Sequence, residues 1–142
     1  MSVVAATLAL TLALSQSKMT YVGGDPSEIP EVEAKGGVYK VNGKPVDPWV
    51  AMKEAGWTAV RLRVWNSPKD GYCDKAHTLA TAKRIKAAGL KLMIDFHYSD
   101  YWADPGKQNK PAAWKDLKFD DLKKAVRDYS KDVIKGLDDQ GT

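Results

Sequence analysis

The sequence predicts an α/β protein with parallel strands, arranged as part of a closed (β/α) barrel rather than as an open doubly wound sheet. Two observations carry this. Strand-like and helix-like stretches alternate with short connections from about Tyr21 onward, and that order gives parallel strands joined by helical crossovers. Two of the strands also carry charge on one face only. Arg61 and Arg63 alternate with apolar residues on one strand, Asp95 and His97 on the next. In a doubly wound sheet helices cover both faces, and a buried ion costs several kcal/mol unless it is paired. In a barrel the same face lines the interior and its mouth, where facing charges pair and reach solvent.

In order, Tyr21 to Asp25 reads as a first strand ending on a carboxylate. Gly23 and Gly24 allow a close backbone approach. Ser27 to Lys35 reads as a brief helix, acidic at its start and stopped by Gly36-Gly37. Val38–Val41 and Lys44–Val46 flank Asn42-Gly43, the signature of a hairpin with a type I′ turn. Asp47 is an N-cap and Pro48 a first helical residue, so a helix follows to Ala55 with Gly56 closing it.

Trp57 to Trp65 is the second strand, with Thr58, Val60, Leu62 and Val64 on one face and Arg61, Arg63 and Trp65 on the other. The loop at 66–71 is rich in turn formers. Asp74 caps a helix to Ala88 whose buried stripe is expected at Leu79, Ala82, Ile85 and Ala88 or Gly89. The third strand, to His97, is expected to be buried on both faces, because apolar residues fill most positions. A third long helix is expected from Phe119 to Leu137, with Phe119, Leu122, Val126, Tyr129, Val133 and Leu137 on its inner face.

The strand ending at His97 runs directly into Tyr98-Ser99-Asp100-Tyr101-Trp102-Ala103-Asp104. Parallel α/β proteins build sites at the carboxyl ends of strands. The candidate site residues are therefore Asp25, Arg61, Arg63, Trp65, Asp95, His97, Tyr98, Asp100 and Trp102, with Tyr101 and Trp114 beside them. Arg63, Trp65 and His97 should border the mouth, with Arg61 and Asp95 a layer deeper. Flat rings flanked by carboxylates and hydroxyls suit sugars, whose C–H faces pack on rings while their hydroxyls need partners.

Other chemistries lack their signatures. No Gly-rich phosphate loop follows a strand, and neither histidine sits in a metal-ligand pattern, so no metal and no cofactor are expected. Ser99 has no nucleophile elbow around it, and His77 reads as a first-turn helix residue. The 22 basic and 18 acidic residues, net +4, interleave along the chain, which argues against nucleic acid as a partner. The apolar run Val3 to Leu14 is too short to span a membrane. With the small residues after it, residues 1–17 read as a secretory signal, leaving 18–142 as one domain of a secreted protein. Cys73, the single cysteine, is either a free thiol or has its partner elsewhere.

Arg-Leu-Arg-Val-Trp at 61–65, Asp-Gly-Tyr-Cys-Asp at 70–74, His-Thr-Leu-Ala at 77–80, Ala-Lys-Arg-Ile-Lys-Ala-Ala-Gly at 82–89 and Asp-Phe-His-Tyr-Ser-Asp-Tyr-Trp-Ala-Asp-Pro-Gly-Lys-Gln at 95–108 closely resemble the amino-terminal part of glycoside hydrolase family 53, the arabinogalactan endo-β-1,4-galactanases. Pro26 is a small departure from the family pattern. The resemblance implies a (β/α)8 TIM barrel that cleaves internal bonds of β-1,4-galactan or type I arabinogalactan with retention. It implies two glutamates about 5 Å apart, one as acid/base and one as nucleophile, with Arg63 and His97 bordering the cleavage subsite. A structural calcium in later loops is left open.

A TIM barrel takes about 250 residues, so this chain is expected to supply about three of the eight βα units, with both glutamates beyond Thr142. Glu28, Glu31, Glu33 and Glu54 are expected in early helices away from the mouth. Asp95 lies deep, and Asp100 and Asp104 share one loop, so neither offers a substitute pair. The 142-residue chain alone is therefore expected to be inactive. Two alternatives remain: a non-catalytic carbohydrate-binding remnant, or a related barrel glycosidase acting on another polysaccharide.

Overall fold

The computed structural model describes residues 20–141, so the apolar run at 3–14 and the proposed signal lie outside the described residues. The strands and helices are β1 (Gly23–Gly24), α1 (Ile29–Ala34), β2 (Lys40–Val41), β3 (Lys44–Pro45), α2 (Pro48–Glu54), β4 (Ala59–Val64), α3 (Lys75–Ala87), β5 (Lys91–Phe96) and α4 (Phe119–Asp139), with a 3-10 turn at Ala112–Trp114. β1, β4 and β5 form one parallel sheet in that order. β2 and β3 pair as a separate antiparallel hairpin, with Asn42 and Gly43 both at positive φ as a type I′ turn requires.

The close approach expected at β1 is real. A Cβ on Gly23 would lie 1.8 Å from the Ala59 carbonyl oxygen, so only glycine lets β1 pair there. Asp47 accepts from the Trp49 and Val50 amides and starts α2. Asp74 accepts from His77 and starts α3.

The barrel argument holds in the packing. Val60 and Leu62 pack with Trp49 of α2 and Ile85 of α3, and Val64 packs with Ala82 of α3 and Val133 and Leu137 of α4. With Ile29 of α1 in the same cluster, the four helices thus pack on one face of a sheet whose parallel strands follow sequence order. A doubly wound sheet would have helices on both faces.

Three expectations need correction. β5 is an edge strand, and its inward-facing Met93 is 54% exposed; the most buried strand is β4, which has a neighbour on each side and is exposed only at Arg61. The buried residues of α3 are Thr78, Thr81, Ala82 and Ile85, while Leu79 is partly buried and lies against Gly136 of α4. Phe119 is 75% exposed, because it sits in the first turn of α4, outside the apolar cluster formed by Val133 and Leu137.

Candidate functional site

Register decides which side chains meet. Arg63 pairs with Asp95 and Arg61 with Met93 across β4 and β5, so Arg61, Arg63, Asp95 and, two residues on, His97 all project to the helix-free face. The two polar rows do share one side of the sheet. Their layering differs from expectation in one respect: Asp95 stands level with Arg63, and Arg61 alone is one step deeper.

A chain of hydrogen bonds and charge contacts crosses the three strands. The Trp65 indole N–H donates to His97 Nδ1 at 2.9 Å, and His97 Nε2 lies 3.3 Å from Asp95 Oδ2. Indole is a donor only, so Nδ1 accepts, and the ring proton sits on Nε2, facing Asp95. Arg61 spans Asp95 (3.3 Å) and Asp25 (3.1 Å). Asp25 also accepts from the amide and hydroxyl of Ser27, and the Ser27 hydroxyl accepts the Arg63 amide. Both His97 nitrogens are thereby engaged within the protein. This histidine is a strut between Trp65 and Asp95, not a group with a free lone pair.

Arg63 is 4% exposed. Its guanidinium pairs with Glu28 at 2.5 Å, lies 3.8 Å from Asp25, and sits 4.0 Å from the Trp102 ring centroid and 5.3 Å from that of Trp65. Glu28 was expected away from the mouth, and the structure corrects this. It occupies the N-cap position of α1, but its side chain makes no capping bond and reaches Arg63 instead. The available signal was its place just past the carboxyl end of β1, where barrel sites are built.

The ring-bearing residues divide. Trp65, Tyr101, Trp102 and His97 cluster on the inner side. Tyr98 does not join them. It stacks on Phe96, and its hydroxyl lies 2.9 Å from Ser130 of α4. Trp114 is buried beside Tyr98 and Tyr129. Asp100 lies at the rim, but its two carboxylate oxygens accept the Ser67 amide (2.9 Å) and the Ala112 amide (2.8 Å). It therefore fastens the loop after β4 to the loop after β5, and both its oxygens already hold backbone amides. Asp104 likewise accepts the Gly106 amide within its own loop.

Beneath Arg63, Cys73 is buried and free, with its backbone at positive φ. Burial pushes its thiol pKa up, against the lowering effect of Arg63. His77 Nδ1 accepts the Cys73 amide, and burial lowers the His77 pKa, so His77 has the structural role expected of it. Among the described residues, no group of three or more His, Cys, Asp or Glu side chains converges as metal ligands. No helix among them is long and apolar enough to cross a membrane.

Two clefts lie at the strand ends. One, of about 530 Å³, is lined by Asp95, Phe96, His97, Tyr98 and the 103–110 loop. The other, of about 600 Å³, lies between the loops after β1 and β4.

Comparison with known proteins agrees with this geometry. The family model for glycosyl hydrolase family 53 matches residues 21–142. An arabinogalactan endo-β-1,4-galactanase of Cellvibrio japonicus is 39% identical, over 97% of this chain and 39% of its own length. An endo-β-1,4-galactanase of Bacillus subtilis is 38% identical, over 84% of this chain and 30% of its own. Among solved structures, a fungal β-1,4-galactanase superposes with a TM-score of 0.82 at 41% identity, covering 86% of this chain and 37% of that one. The catalytic domain of the same family from Ignisphaera aggregans gives 0.79 at 39%, covering 84% and 36%. The chain thus spans about a third of the length of the relatives it matches.

Proposed function

The chain belongs to glycosyl hydrolase family 53, and from that premise we propose that it forms the sugar-holding first part of a retaining endo-β-1,4-galactanase acting on galactan or type I arabinogalactan. The observation that carries this reading is the shared inward face of β4 and β5. Arg63, Trp65, Asp95 and His97 stand together there at the carboxyl ends of parallel strands.

Retaining hydrolysis needs two carboxyl groups about 5 Å apart with separate roles, one giving a proton to the leaving oxygen and one attacking the anomeric carbon. The carboxylates described at the mouth have other tasks. Asp25 and Asp95 hold Arg61, Glu28 holds Arg63, and Asp100 holds two amides. In the proposed reaction these strands bind and orient the sugar, and the acid/base and nucleophile are glutamates from outside the described residues. Residues 1–142 alone then bind poorly and cleave nothing. Galactan is a polymer too large to enter a cell, which together with the apolar run at 3–14 supports a secreted protein.

The test is release of reducing ends from β-1,4-galactan by the longest reading frame that contains this chain, beside the 142-residue chain itself. Cleavage of galactan in preference to xylan or mannan by the longer protein, and none by the shorter, is expected. Equal cleavage by the 142-residue chain would overturn the division of labour. Binding of galactan without cleavage by the longer protein would overturn the enzyme reading in favour of a carbohydrate-binding remnant.

A further inference from the structure

Trp65 stands one residue beyond β4, where the register with β5 has ended, so no strand ladder holds its backbone. Its amide donates instead to the Cys73 carbonyl at 2.7 Å, and its own carbonyl accepts the Tyr129 hydroxyl. Cys73 meets it from a left-handed backbone, φ 63°, which a residue bearing a Cβ adopts at some cost. A side chain from α3 secures that turn. The Cys73 amide donates to His77 Nδ1 at 3.1 Å.

His77 is itself fixed. Its amide donates to Asp74 Oδ1 at 2.7 Å, and its carbonyl accepts the Thr81 hydroxyl. Its ring stands edge-on to Tyr72, with centroids 5.3 Å apart. Because Nδ1 accepts, the ring proton is on Nε2. That nitrogen is buried without a partner, beside a space bounded by Ser27, Arg63, Cys73 and Thr78 that has no room for a water molecule. A second proton would therefore go to Nδ1 and set one donor against another at the Cys73 amide.

We propose that His77 is a positioning residue for the strand-end centre: its neutral ring holds the Cys73 turn, Cys73 holds the Trp65 backbone, and the Trp65 indole holds His97. His77 lines neither strand-end cleft, so it acts through these contacts alone. The inference rests on the galactanase reading for the reaction that Trp65 and His97 serve.

The surroundings of the ring give the link a pH dependence. Asp74 and Glu31 favour protonation of His77, but burial opposes it and prevails, so the pKa lies below the ordinary 6.5. The other ionisable neighbours are Tyr72, on whose ring His77 stands edge-on, and Arg63 and Cys73 across the small space. The link is thus whole at neutral pH and opens as pH falls through the lowered pKa.

The test uses the longest reading frame that contains this chain and two variants of it. His77→Phe keeps a ring but has no acceptor; His77→Asn places an amide oxygen near the Nδ1 position and does not titrate. At neutral pH, amide exchange at Cys73 and Trp65 should quicken about tenfold in His77→Phe, the order of one lost hydrogen bond, and stay near the parent rate in His77→Asn. On acidification from about pH 7 to about pH 5, protection at Trp65 should fall in the parent and hold in His77→Asn. For release of reducing ends from β-1,4-galactan, kcat should fall about tenfold in His77→Phe with KM changed less than about twofold, and His77→Asn should restore it.

Unchanged protection at Trp65 in His77→Phe, a loss that His77→Asn shares in full, or an unaltered kcat in a His77→Phe protein that has lost protection would overturn the positioning role. Should His77→Phe not fold, the acid comparison between the parent and His77→Asn decides alone. Protection does not depend on turnover, so the two readings fail separately. A parent that shows the link but cleaves no galactan sinks the enzyme reading, and one that cleaves galactan with Trp65 indifferent to His77 sinks the positioning role.

Discussion

Two aromatic clusters lie on opposite sides of the end of β5, built from rings at nearly the same spacing. On the inner side Trp65 lies 5.4 Å from Tyr101 and 5.9 Å from Trp102 between ring centroids. On the outer side Phe96 lies 5.4 Å from Tyr98, and Trp114 lies 5.8 Å from Tyr129. Ring geometry does not separate them; their polar partners do. In the outer cluster the hydroxyls are used up within the protein, Tyr98 with Ser130 and Tyr129 with the Trp65 carbonyl, and the rings are covered by α4. In the inner cluster the rings pack on a guanidinium and an imidazole and keep open surface. One set holds the barrel segment together and the other is, in the proposed function, the surface that meets the sugar, although Phe96, His97 and Tyr98 are consecutive in sequence.

The sharpest way to break this comparison is to delete one large ring from each side. Trp114 is 7% exposed, so Trp114→Ala should lower stability by about 3–5 kcal/mol, the usual cost of emptying a buried aromatic site. Trp102→Ala removes a ring that is nearly half open, and should cost about 1 kcal/mol while abolishing measurable galacto-oligosaccharide binding. Urea unfolding and titration calorimetry, on both variants of the longest reading frame that contains this chain, read the two effects. If Trp102→Ala unfolds as readily as Trp114→Ala, the division between the clusters is wrong.

The inner face was legible in the sequence because strand alternation is strict. Once Val60, Leu62 and Val64 were assigned to the helices, Arg61 and Arg63 had to share the other side. The loop after β5 has no such period, and there the sequence does not reveal that Tyr98, which lines the cleft beside Asp95 and His97, packs its ring on Phe96 rather than with the inner rings. Tyr98 follows Phe96 by two residues and stays on its side of the sheet, at a positive φ of 48° that composition does not announce. Glu28 failed for a different reason. An acid before a helix reads as dipole compensation, and nothing local reveals that Arg63, 35 positions later, competes for it. Asp100 has its two oxygens taken up by the Ser67 and Ala112 amides, and backbone partners of that kind are invisible to side-chain pattern.

Asp100 also tests whether the inner cluster depends on its loop. Its carboxylate ties together the two loops that carry the inner rings, so Asp100→Ala gives up two charge-assisted bonds, about 1.5–3 kcal/mol each before solvent replaces them. Stability should fall by about 2–3 kcal/mol, and amide exchange should speed up at Ser67 and Ala112 while the core of β4 stays protected. Unchanged exchange at both amides would show that the loops are held by something else.

The smallest effect probes the bond that joins the two clusters. Tyr129 donates to the Trp65 carbonyl at 2.6 Å, so an outer-cluster hydroxyl fixes the backbone of an inner-cluster ring. Burial is the main cause that pushes the Tyr129 pKa above its ordinary value of 10.0, with neighbouring carboxylates adding to it. The sign follows from linkage. Below pH 10 the tyrosine is protonated whether folded or unfolded, and its contribution is fully present. As pH rises past 10 the unfolded chain loses the proton first, so stability falls until the folded form also ionises. Tyr129→Phe should cost about 1 kcal/mol at neutral pH, the net worth of one partly buried hydrogen bond. It should also flatten the alkaline limb, because no group at 129 remains to titrate. Melting temperatures from pH 7 to 11 for the two proteins measure this directly, and parallel curves across that range would mean that Tyr129 does not couple the clusters to pH.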